Sequence, residues 1–333
     1  MKTLQLLQLT DPRLAWLGAV SVQHTPEWSL PWRIPYTQVD LFPPVELQAR
    51  TVMPAGVRLA FVSDTRTVAG AFLPVPEISP IDLCCNGEFI GSVALQGRDA
   101  FLFDNLPAGE KLIELWLPQF GECKLCSLAL DDGASLSAYT DDRPRWITYG
   151  SSITQCRTAA SPTQTWPAVV ARARGFNLTC LGFGGQCHLE PMLARLIRDR
   201  PVDYLSMCVG INIYGAASLS PRTFRAAIIG FVQIVREKHP DTPYVVMSPI
   251  YSPPRETTPN AVDFTLQAMR DEVAAAVDTL RAAGDHNLHY VNGLDIFGAA
   301  YTHLLPDELH PDAEGYRLMG QHFTAQVANR YFQ

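Results

Sequence analysis

Two stretches of this sequence could do covalent chemistry together. Asp307-Glu308-Leu309-His310-Pro311 lies near the C-terminus, and Gly150-Ser151-Ser152-Ile153-Thr154 closes a strand-like run far upstream. The three-residue step from Asp307 to His310, at a loop-to-helix turn, lets the carboxylate reach Nδ1–H while Nε2 stays free to face a serine hydroxyl. A serine activated this way can attack an acyl carbon, with histidine as base and aspartate as its orienter. That attack also needs donors aimed at the developing oxyanion. Cys180-Leu181-Gly182-Phe183-Gly184-Gly185-Gln186 and Val209-Gly210-Ile211-Asn212 each close a further strand-like run. The N–H groups of Ser152 and Gly185 and the side-chain amide of Asn212 could supply three such donors.

The order Ser…Asp…His is that of α/β-hydrolases, but their G-x-S-x-G elbow is missing, so a different α/β scaffold is needed. With Ser152, Gly185, Asn212 and His310 in successive blocks, and Asp307 in the last, the sequence resembles the SGNH hydrolases, or GDSL-like esterases. Register against that family's first block favours Ser152 over its neighbour Ser151. Two positions depart from the pattern. Ser151 and Ile213 stand where the family usually has aspartates, which mostly buttress loops there, and this bears on the subfamily more than on catalysis. The resemblance implies a serine esterase with Ser152, Asp307 and His310 as catalytic residues, an oxyanion hole of Ser152, Gly185 and Asn212, and no cofactor or metal. Ser151 and His188 are further candidates for the substrate pocket.

The elements that must hold these residues read differently in the two halves of the chain. Residues 1–140 alternate in short runs such as 56–62, 81–85 and 111–117, with a hairpin signal at Asn86-Gly87, dense proline and poor helical periodicity. This predicts a β-sandwich or jelly-roll domain, similar to the one that precedes the hydrolase domain in some bacterial carbohydrate acetylesterases and natural-product acyltransferases. A polar linker is expected from Asp131 to Pro144. From residue 145 to 333, strand-like runs at 145–150, 176–183, 202–209, 243–250 and 288–293 alternate with helical patterns at 221–239, 260–283 and 312–331. The fold class is therefore α/β. The family's flavodoxin-like version is a three-layer parallel sheet flanked by helices, and such sheets bind ligands beyond the carboxyl ends of their strands. Trp28, Trp32 and Tyr36 could stack against a substrate ring, although closing one end of the sandwich core is the more frequent use of such aromatics.

Composition excludes several classes. A 333-residue chain that is 47% hydrophobic and 18% charged has ample core. The net charge of −7 falls mainly on the first 140 residues, and no basic stripe would neutralise phosphates, so nucleic acid is not an expected partner. No apolar run reaches the length of a membrane span. The first nine residues, broken by Gln5 and Gln8, read as a first strand and not as a leader, which suggests a cytoplasmic protein. Cys123-Lys124-Leu125-Cys126 lacks the two further ligands zinc would need, and Asp285, His286 and His289 read as a solvated turn. Three functions follow: hydrolysis of short acyl esters of a small molecule or carbohydrate, transfer of the same acyl group to an alcohol, or binding alone. The complete Ser152, Asp307 and His310 set argues against the last.

Overall fold

Alternation builds the first half. Along Val68–Phe72, the residues Val68, Gly70 and Phe72 are buried and the two between them are half-buried, the period-two pattern of a sheet covered on one face. A computed structural model describes residues 3–333 and places two antiparallel sheets here. One runs Ser21–His24, Ser29–Trp32, Leu125–Asp131, Val68–Phe72, Ala100–Phe103, with Leu4–Leu7 also paired to Leu125–Asp131. The other runs Ala15–Leu17, Arg58–Ser63, Lys111–Trp116, Ile81–Cys85, Glu88–Val93. Leu59, Phe61, Leu83 and Leu115 from the second sheet meet Phe72, Phe101 and Leu128 from the first in a shared core. Asn86 and Gly87, at φ 50° and 80°, make the hairpin turn. Residues 1 and 2 of the expected first strand lie outside the described residues. A helix, Val45–Thr51, stands just after Pro43-Pro44 in this half, where no helical pattern was expected.

The second half is one parallel sheet. Counted along the chain its order is 2-1-3-4-5: Asn177–Gly182, Arg145–Gly150, Tyr204–Cys208, Tyr244–Met247, Leu288–Val291. This is the flavodoxin-like order. Helices cover both faces, as Trp146 and Tyr149 record. Trp146 stacks on Phe323 at 5.6 Å and lies against Trp166, beneath the helices Ala313–Phe323 and Trp166–Arg174. Tyr149, three residues on, points to the other face and stacks on Phe231 of Pro221–Arg236 at 5.0 Å. The helix expected from residue 260 begins at Leu266. Asn260 turns its side-chain oxygen onto the N–H groups of Val262 and Phe264, and Thr265 then caps the helix. Asp285 pairs with Arg236 and His289 stacks on Tyr331 at 4.2 Å, so these two are not a solvated turn.

The halves are locked together by buried polar groups. Arg33 is fully buried and donates to the carbonyls of Cys180, Gly182 and Arg50 at 3.2, 2.5 and 2.6 Å. Burial, with repulsion from Arg50, pulls its guanidinium down to about 10. Arg58 bonds Glu114 on one side and the Leu178 carbonyl and Asn177 side chain on the other. Asp82 accepts from Ser161 Oγ, Thr163 N and Thr163 Oγ1 at 2.6 to 3.0 Å. The expected linker is part of this seam. Its Asp141, 2% exposed, pairs with Arg143 and Arg58.

Candidate active site

Sheet order brings the candidate residues together. The strand ending at Gly150 is flanked by the strands ending at Gly182 and Cys208, with Gly150 in register with both. The turns that follow all three therefore open at one carboxyl edge. Ser152 begins a short helix, Ser152–Gln155, that crosses the end of its neighbour strand. A Cβ at Gly182 would collide with the backbone nitrogen of Gln155, so only glycine admits this crossing. Gly185 sits at φ +75°, which glycine adopts at little cost.

Ser152 Oγ lies 2.9 Å from His310 Nε2, and His310 Nδ1 lies 2.6 Å from Asp307 Oδ2. Asp307 Oδ1 also accepts from the backbone N–H groups of Leu309 and His310. Partial desolvation raises the Asp307 carboxyl, but these bonds outweigh it and hold the group below its usual range. The loop carrying the pair is fixed from outside. Glu308 stands at φ +59°, and its carbonyl accepts from the buried Ser252 hydroxyl at 2.7 Å and from Arg255 at 3.3 Å. Thr158 Oγ1 donates to the Pro311 carbonyl at 2.8 Å, tying this loop to the segment after Ser152.

Asn212 Oδ1 accepts from the Cys187 N–H at 3.1 Å, which fixes the amide and leaves Nδ2 for the cavity. Among the described residues, the N–H groups of Ser152 and Gly185 have no protein acceptor. A hydroxyl beside an oriented imidazole, near three unspent donors, can attack an acyl carbon and receive the resulting oxyanion. These groups line a cavity of about 560 Å³ with Gln155, Thr158, Leu309 and Tyr316.

Two sequence candidates stand elsewhere. Ser151 is buried, its hydroxyl accepting from the Ile153 N–H as the cap of the short helix, and it does not line the cavity. His188 bonds the Gly185 carbonyl and the Ser218 hydroxyl, at 3.0 and 2.7 Å, and is likewise outside the lining. Trp28, Trp32 and Tyr36 do not reach the cavity either. The first half instead contributes Arg50 and Phe120, which the sequence reading missed. Arg50 Nε donates to the Gly184 carbonyl at 3.1 Å, and Gln155 Oε1 accepts from the Gly184 N–H at 2.8 Å. The loop bearing Gly185 is thus gripped by both halves.

Among the described residues, no group of three or more His, Cys, Asp or Glu side chains could hold a metal ion. No described helix is long and apolar enough to cross a membrane.

Residues 148–318 match the model of the GDSL-like lipase/acylhydrolase family, and residues 14–125 match that of the SsfX3 N-terminal domain. Among solved structures, the chain is similar to SsfX3, a salicylyl-acyltransferase from a tetracycline biosynthetic pathway. The two are 36% identical with a TM-score of 0.90, over 98% of this chain and 97% of that one. A Bacteroides ovatus protein assigned to the GDSL-like lipases matches at 21% identity and a TM-score of 0.79, over 99% and 98%. A family two carbohydrate esterase from Clostridium thermocellum matches at 12% and 0.68, over 96% and 99%. The last two show likeness of fold alone. No curated protein matches.

Proposed function

The chain belongs to the GDSL-like lipase/acylhydrolase family, and from that premise we propose that it cleaves an ester of a small molecule through an acyl-Ser152 intermediate. The observation that carries this reading is the continuous relay from Ser152 Oγ through His310 to Asp307, at 2.9 and 2.6 Å, on the wall of the cavity. His310 Nε2 takes the hydroxyl proton as Ser152 Oγ attacks the ester carbonyl. Asp307 holds the imidazole in the right tautomer and stabilises the imidazolium. The oxyanion forms among the N–H groups of Ser152 and Gly185 and the amide of Asn212. Collapse breaks the C–O bond, and His310 returns the proton to the departing alcohol. Water then attacks the acyl-serine by the same route in reverse.

A second reading, in which another hydroxyl takes the acyl group in place of water, is supported by one observation. The chain is 36% identical to a salicylyl-acyltransferase across 98% of its length. Both readings share the acyl-enzyme, so one experiment tests them. Wild type and Ser152→Ala are given 4-nitrophenyl esters of increasing acyl length, with and without added alcohols. The expected result is turnover that is lost in the variant. Faster nitrophenol release with formation of a new ester would assign the transferase. Normal turnover by Ser152→Ala would remove the nucleophile and with it the proposal.

A further inference from the structure

Guanidinium groups gather where the first half of the chain walls the cavity. Arg50 reaches it from the helix Val45–Thr51, and Arg157 from the segment after Ser152. Phe120 lies between them, its ring centroid 5.8 Å from one guanidinium and 4.3 Å from the other. Arg157 pairs with Glu77 at the exposed rim, 2.7 Å away. Among the described residues Arg50 has no carboxylate partner. Its Nε is spent on the Gly184 carbonyl, Nη1 has only the Met53 sulfur at 3.8 Å, and Nη2 makes no bond. Arg33 lies beneath and is also without a carboxylate, all its bonds going to carbonyls. Of the two arginines that line the cavity only Arg157 has a carboxylate, Glu77 at the rim, and the one carboxylate in the lining, Asp307, is already bonded to His310. In a chain of net charge −7 this is a local excess of positive charge.

A planar guanidinium with an unspent N–H edge, set in a cleft wall of reduced dielectric, matches an anionic oxygen group in both charge and geometry. We infer that Arg50, with Arg157 across Phe120, forms a subsite for a carboxylate or phosphate group carried by the ester substrate. The inference rests on the acyl-Ser152 reading for its placement beside the scissile bond. It names a substrate class, acidic esters, and makes the first half of the chain a determinant of specificity.

Binding to the full-length Ser152→Ala protein, measured by calorimetry, reads the subsite without chemistry. The probes are 4-acetoxybenzoate, 4-acetoxyphenyl phosphate and the neutral methyl 4-acetoxybenzoate. At least one anion should bind about tenfold or more tightly than the neutral ester, and the tighter of the two identifies the group. Adding Arg50→Gln should reduce that advantage to under about twofold, while Arg50→Lys, which keeps the charge, should retain most of it. Raising salt should weaken the anion and spare the neutral ester. If Arg50→Gln does not fold, Arg157→Gln and the salt series decide. Equal affinity for charged and neutral probes, or a preference that persists in Arg50→Gln/Arg157→Gln, would overturn the inference. Turnover by the wild type tests the acyl-Ser152 reading separately, because its absence would leave the binding comparison intact.

Discussion

Replacing Asn212 by alanine removes two interactions, and the geometry lets them be measured apart. Nδ2 is the side-chain donor left for the cavity, beside the two unspent backbone N–H groups. Losing one oxyanion donor costs about 3 kcal/mol of transition-state stabilisation, or roughly 100- to 1,000-fold in kcat. KM should change little, because the oxyanion exists only near the transition state. Oδ1 does separate work, accepting from the N–H of Cys187, a residue 1% exposed. Alanine strands that buried N–H, at a cost of about 1–3 kcal/mol in stability and roughly 2–4 °C in Tm for each of those kcal/mol. Asn212→Asp keeps the acceptor but puts a carboxylate where the donor was. It should melt close to wild type and yet turn over more slowly than alanine, since its charge opposes the oxyanion. The assay is kcat and KM for 4-nitrophenyl acetate beside thermal melts of all three proteins. An alanine variant within fivefold of wild-type kcat, or an aspartate variant faster than alanine, would take Asn212 out of the oxyanion site.

Three other expectations follow from the same geometry. Gly182→Ala should cost about 1–3 kcal/mol through overpacking and lower kcat at least tenfold by displacing the turn that carries Ser152; melts and kcat check it, and unchanged values would contradict the crossing geometry. Asp82→Ala strips a buried carboxylate from Ser161 and Thr163 and should lower the unfolding free energy by about 3 kcal/mol, read from urea denaturation; an unmoved midpoint would mean the seam does not contribute there. The Asp307 carboxyl is held below its usual 3.8, so its contribution to stability is complete above that value and fades as pH falls through the lower folded-state value. Asp307→Asn should therefore melt slightly below wild type at pH 7, by under about 1 kcal/mol given how exposed the pair is, and converge with it in strong acid. An equal gap at every pH would exclude the charge as its origin.

What the sequence disclosed follows from the range of the forces involved. Strands buried on both faces, such as Tyr244–Met247, are continuous apolar runs, and the helix Pro221–Arg236 repeats Phe224, Ile228, Phe231 and Val235 on one side. Both patterns can be read locally. The positions of Ser152, Gly185 and Asn212 were legible because each follows a strand end and the 2-1-3 order makes those ends neighbours, while Asp307 and His310, in the loop before the helix Ala313–Phe323, were legible from their own three-residue spacing. Arg50 and Phe120 were not legible. They reach the cavity only when the halves dock, and no short-range pattern marks a docked side chain. The seam hid for the same reason. Asp141 meets Arg58 across 83 positions, so the segment looks like a solvated linker until its partners are in place. Ser151 carried a readable signal that was assigned to the wrong job. A serine just before a helical turn is a common N-cap, and that is where its hydroxyl is spent.

Arg33 has a consequence for how this molecule can be altered. It belongs to the first half, yet it satisfies two carbonyls toward the C-terminal end of a strand in the second, Asn177–Gly182. Cutting the chain between the halves would strand those carbonyls and release the Gly184 loop that Arg50 holds. The hydrolase-like half is therefore not a portable cassette. The same wiring offers an opportunity in protein engineering. With Arg50 kept for its hold on the Gly184 loop, residues around Val45–Thr51 and Phe120 can be diversified to retune what the cleft accepts while Ser152, Asp307 and His310 stay untouched, so libraries confined to these first-half positions should change selectivity before they abolish chemistry.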